Sequence, residues 1–341
     1  MTLKKAFLSQ SKSCGKLGSP FMQRLFAICA DRMQPGTPLT DRMFNWPGDV
    51  SSAGDSVPLR LAGGLHALVL QGDARLGQVY PPNGVSDDQL WDTVAASMTR
   101  HHDFLDDWIN SPPQTNEVRR SVALIAAGHV IHSFYQLPFI VSELGASAGL
   151  NLMWDQYAMQ VGQQIIGADG PALTFEPDWS GLVPSVAHPK VVERRGVDLN
   201  PIDARSAAGQ LRLRAYLWPD QPERRALTDK AISIFDAAID QGDAIDWLET
   251  RLTPRAGHLH IIYHTIAWQY FPGKVQERGN KLIEAAGAVA TPDAPLALVS
   301  MEADGTPKSA ALTLRLWPGD LRFNLARVDF HGRWVNWTYD G

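Results

Sequence analysis

The segment PFIVSELGASAGLN, Pro138 to Asn151, constrains the fold more than any other stretch. A short apolar run with a β-branched centre ends in a glycine, and small residues separate that glycine from a second one. This is the pattern of a buried strand delivering a tight loop. Nothing upstream reads as a strand. GSPFMQRLFAICADRM, PLRLAGGLHALVLQG, SDDQLWDTVAASMTRHHDFLDDWIN and EVRRSVALIAAGHVIHSFYQ read instead as helices, with Ser19 and Pro20 as a helix start and Ser86 with Gln89 at capping-box spacing. Downstream, apolar strands alternate with helical stretches: KVVERRGVDLNP, ERRALTDKAISIFDAAIDQ, GHLHIIYHT, GKVQERGNKLIEAAG and LALVSME. AALTLRLWPG and LRFNLARVDFHGRWVNW close the chain as strands without an intervening helix. The order predicts an α/β protein: an all-helical domain over residues 1–136, then a Rossmann-like, doubly wound sheet over 137–341 with antiparallel closing strands. AGLNLMWDQY reads as the first crossover helix, and a hairpin insertion is expected near 157–176.

Of 341 residues 45% are hydrophobic, enough for a sizeable core. A formal net charge of −5 leaves no electrostatic footprint for nucleic acid or an anionic membrane, so a small molecule or a protein group is the expected substrate. Cys14 and Cys29 make no disulfide framework, the N-terminus lacks a signal-peptide pattern, and no apolar run is long enough to span a bilayer. A cytoplasmic protein is expected. His101, His102 and Asp103 lack metal-ligand spacing, and no metal site is expected.

ELGASAGLN carries two signatures. As G-x-S-x-G it is a hydrolase nucleophile elbow with Ser147 as nucleophile, for which His258, His260, His264 or His331 would supply the base. Against this, its strand is the first in the chain, and GGLH at Gly63–His66 lies in a helical pattern rather than in an oxyanion loop. As E-x-G-x-x-x-G-x-N it is a glycine loop that lets a ligand approach the backbone at Gly145 and Gly149. Two further stations follow in order: Asp198 in GVDLNP, whose ionised carboxylate can accept from both ribose hydroxyls, and Asp243 in GDAIDWL, near an adenine amine. The interval 198 − 149 = 49 residues is long for one crossover, which leaves Asp155 as a rival ribose ligand. The loop lacks G-x-G-x-x-G spacing, which disfavours a dinucleotide.

This order of loop and acids resembles the class I fold that binds S-adenosylmethionine. The chain is also similar, from about residue 19 to its end, to a bacterial domain-of-unknown-function family, through RLAGGLHALVL, QTNEVRRS, ELGASAGLNL, GVDLNPID, LRLRAYLWPDQPER, YHTIAWQYFP and RVDFHGRWVNW. The resemblance implies S-adenosylmethionine as cofactor, held by Glu143, Gly145, Ser147, Gly149, Asn151, Asp198 and Asp243, and methyl transfer as the reaction. A ligand-sensing protein without turnover is the alternative from another class. Beyond the fourth strand, His264 is the candidate base, with Tyr270 and, on the next strand, Glu302 as catalytic candidates. Trp268, His66, Asn116 and Glu117 are candidates for the substrate pocket. Each also has a bland reading, as a packed aromatic, a packed histidine or a helix cap. The helical domain is expected to act as a lid.

Overall fold

A computed structural model describes residues 1–340 as a mixed α/β protein with a helical N-terminal region and a large, mostly parallel central sheet. The chain divides into two compact units. One comprises Met1–Thr115 with Ala204–Ala226; the other comprises Asn116–Asp203 with Leu227–Gly341. The division therefore falls at residue 116 rather than at the change of texture after 136, and a later segment returns to the first unit.

The first unit is entirely helical. Pro20–Arg32 begins with Pro20 at its first position and the Ser19 hydroxyl accepting from Met22 N–H, and Asp87–Arg100 begins with the reciprocal Ser86–Gln89 box. Gly63 and Gly64, costly inside the helix Val57–Leu70, are there for packing. A Cβ on Gly63 would lie 2.4 Å from Tyr216, and one on Gly64 2.7 Å from Leu105.

The second unit holds twelve strands: β1 Phe139–Leu144, β2 Tyr157–Val161, β3 Gln164–Gly167, β4 Leu173–Phe175, β5 Asp178–Ser180, β6 Val191–Asp198, β7 Ala238–Gln241, β8 Leu259–Thr265, β9 Leu296–Glu302, β10 Ala310–Trp317, β11 Leu321–Val328 and β12 Trp334–Trp337. The main sheet runs β5-β12-β11-β10-β9-β8-β1-β6-β7. From β9 to β7 all pairings are parallel, whereas β9, β10, β11 and β12 pair antiparallel. β1 lies between β6 and β8, so the chain order reverses beside it. Such a switch point opens a crevice at the carboxyl ends of the strands. All six residues of β1 are buried, as a strand covered on both faces requires.

The crossover from β1 to β6 differs from the sequence expectation. Leu150–Gln156 is a 3₁₀ segment, not an α-helix, and Leu150 through Trp154 are all buried. Trp154 lies over Gly128 of the helix Ser121–Phe134, where a Cβ would come within 2.4 Å of its ring. The long interval before Asp198 is taken up by the separate sheet β3-β2-β4 and by β5, which joins the far edge of the main sheet. No helix among the described residues is long and apolar enough to cross a membrane.

Candidate functional site

The loop after β1 is shaped by backbone that turns left-handed at three positions, Gly145 (φ 70°), Ser147 (φ 55°) and Gly149 (φ 74°). Glycine adopts this region freely; Ser147 does so at a cost, which the surrounding bonds must hold in place. Gly145 and Ala146 N–H both donate to the Val197 carbonyl at 3.0 Å, tying the loop to the end of β6. Ser147 N–H donates to Asp198 Oδ2 at 2.8 Å, and Asn200 N–H donates to Oδ1 at 2.9 Å. Asp198 thus braces the glycine loop. The Ser147 hydroxyl is buried and has no hydrogen-bond partner.

Asp243 caps the helix Ala244–Glu249, its Oδ1 accepting from Ile245 and Asp246 N–H, which leaves Oδ2. Gly145, Asp198, Gly242, Asp243, Tyr270 and Phe271 line one cleft of about 140 Å³. Among the described residues no lysine or arginine lines it. Asp155 lies elsewhere: its carboxylate is buried in a bidentate pair with Arg194 at 2.7 and 2.9 Å.

The loop after β8 adjoins the loop after β1. A Cβ on Gly145 would stand 2.6 Å from that of Ala267. Glu302, at the end of β9, organises this neighbour: Oε1 takes Ala267 and Trp268 N–H at 2.9 and 3.0 Å and lies 2.8 Å from His264 Nδ1. Burial pushes the Glu302 carboxyl up, but the His264 contact and those amides outweigh it and hold the group below the usual carboxylate range. His264 is buried and stacks on Trp268 with ring centroids 4.9 Å apart; its Nε2 has no protein partner. Between them Ile266 has φ 52°, a strained conformation for a β-branched residue.

The other candidates have supporting places. Asn116 Oδ1 accepts from Leu150 N–H at 2.7 Å, and Asn151 donates to the Glu117 carbonyl and accepts from the Ser121 hydroxyl. Glu117 also caps Val118–Arg120. Asn116 and Glu117 therefore support the glycine loop from the second unit. Glu143 is buried, and burial pushes its carboxyl well above the ordinary range despite the Tyr263 hydroxyl and the nearby Arg120. His66 belongs to the core of the helical unit, with Nδ1 3.1 Å from the Ala215 carbonyl and its pKa pushed down to about 4 by burial. Trp268 fills the space above Gly279, while Tyr270 lies in the cleft and is 74% exposed.

Sequence reasoning missed Arg120, whose guanidinium donates to the Thr265 and Phe330 carbonyls and joins the ends of two strands. The signal was a cation opening the apolar helical stretch SVALIAAGHV.

The sequence matches, over residues 4–337, the family described as "Uncharacterized protein conserved in bacteria (DUF2332)". The chain belongs to this family. No curated protein and no solved structure matches it significantly.

Proposed function

We propose that this DUF2332 chain is an S-adenosylmethionine-dependent methyltransferase acting on a small molecule or a protein group. The observation that carries the reading is the convergence of Gly145, Asp198 and Asp243 on one cleft without a basic residue, at the switch point of a parallel sheet. A nucleoside phosphate needs cations or unclaimed backbone N–H groups. Here Asp243 takes the first amides of its helix, and Asp198 takes those of Ser147 and Asn200. The carboxylates favour a nucleoside that is neutral or positive where it meets the protein.

The residues fit such a cofactor. Asp198 would accept from ribose hydroxyls, Asp243 Oδ2 from an adenine amine, and the orphaned Ser147 hydroxyl would gain a partner. A nearby cation would also favour ionisation of Glu143. The bound cofactor supplies a methyl group already activated by a sulfonium. The protein's part is to position the acceptor and, where the acceptor carries a proton, to remove it at His264 Nε2, with the ring oriented by Glu302. The hydrolase alternative lacks its base, since no histidine bonds the Ser147 hydroxyl.

Calorimetric titration of ligand-free protein, verified by mass spectrometry, tests the reading with S-adenosylmethionine, S-adenosylhomocysteine, ATP and NAD. The expected result is saturable binding of the first two and none of the phosphates. Preference for ATP or NAD, or no binding of either sulfur nucleoside, overturns it, and fluorophosphonate labelling of Ser147 would then favour the hydrolase.

A further inference from the structure

A second cavity of about 170 Å³ lies at the opposite, amino ends of the parallel strands, bordered by Ile140 of β1, His260 of β8 and Leu296 of β9. Its polar side carries Arg251, Arg255, His258 and His260 against the single carboxylate of Glu193. Glu193 is already engaged, by Arg251 Nη2 at 2.7 Å and Arg255 Nη1 at 3.5 Å. Two guanidinium groups share one carboxylate, so positive charge is left over.

A chain of hydrogen bonds links the polar groups of the wall. Arg251 Nε can only donate, and it meets the Ser142 oxygen at 3.4 Å. The Ser142 hydroxyl in turn lies 2.8 Å from His260 Nε2, within hydrogen-bond distance. Burial and the Arg251 charge push the His260 pKa down to about 4, so the ring is neutral near pH 7. His258 has only Nδ1 engaged, with the Ala256 carbonyl. The remaining wall is apolar, formed by Ile140, Ala286, Ala290 and Leu296.

We propose that this cavity binds a small organic oxyanion, its charged head on Arg251, Arg255 and His260 and its apolar body against Ile140 and Ala290. A phosphate monoester and a carboxylate share this chemistry. The proposal is independent of the methyltransferase reading, because the two clefts occupy opposite ends of the strands.

The test is calorimetry with butyl phosphate, hexanoate and inorganic phosphate on wild-type protein, Arg255→Gln and Ala290→Phe. Arg255 is largely exposed, so its replacement spares the core, and Ala290→Phe fills the cavity without touching a charge. Saturable binding of butyl phosphate or hexanoate, weakened at least about tenfold by Arg255→Gln and abolished by Ala290→Phe, is expected. Which organic probe binds tells a phosphate head from a carboxylate head. Binding of inorganic phosphate alone, binding of no probe, or affinity unchanged in Arg255→Gln overturns the proposal. Should Ala290→Phe fail to fold, Arg255→Gln decides.

Discussion

The two ends of the parallel sheet have opposite chemistry. At the carboxyl ends of β1, β6 and β7 the cleft presents Asp198 and Asp243 and no cation; at the amino ends of β1, β8 and β9 the cavity presents two arginines and two histidines around one glutamate. β1 serves both, with Ser142 in the basic relay and Gly145 in the acidic cleft. The contrast shows that the sheet supplies places and the side chains at the strand ends choose the sign of the ligand.

The largest expected effect is at His264. Replacement by glutamine should lower methyl transfer to a proton-bearing acceptor by about 10²–10⁴-fold, the usual worth of a general base. Its S-adenosylhomocysteine affinity should stay unchanged by calorimetry. Equal loss of both would mean that His264 only packs the loop.

Next comes Asp198→Ala, which removes a charged acceptor and should weaken S-adenosylhomocysteine roughly ten- to hundredfold. Oxyanion binding at the other end should be untouched. If both sites weaken together, the variant has loosened the sheet and the two ends are not independent.

The smallest effect is in stability against pH, and the two ends should differ in sign. His260, pushed down to about 4, contributes stability that is complete above the unfolded imidazole pKa of about 6.5 and is lost as pH falls through 4. Denaturation midpoints should therefore drop between pH 6.5 and 4, and His260→Asn should flatten that drop by roughly 1–3 kcal/mol. Glu143, pushed up, contributes stability that is complete below the unfolded carboxylate pKa and is lost as pH rises through its folded value. Glu143→Gln should accordingly gain relative stability on the alkaline side. Parallel shifts in the two variants would remove the distinction.

Much of the acidic end was legible in the sequence because its parts are local. A strand ending in ELGASAG declares a loop, and GVD places Asp198 at a strand end; the strand before Asp243, Ala238–Gln241, is hidden at the end of a stretch that reads as helical. The boundaries of β1 and β8 follow the apolar runs closely. The 3₁₀ crossover was not legible, since LNLMW has the apolar content of a buried helix. Nor was the basic end. Ser142 and His260 are 118 positions apart and meet only through the pairing of β1 with β8, where Ser142 stands opposite Ile262. Asn116 and Glu117 carried an even choice between substrate contact and capping, and their bonds to Leu150 and Asn151 join segments that the sequence keeps 34 positions apart.

The return of Ala204–Ala226 to the helical unit bears on how this protein can be divided or inherited. A fragment stopping at Thr115 would lack Tyr216, whose ring occupies the space over Gly63. A fragment starting at Asn116 would carry that helical segment without its companions. The point of departure, Asp203, lies five positions after Asp198. Recombination at one breakpoint therefore cannot exchange either unit intact.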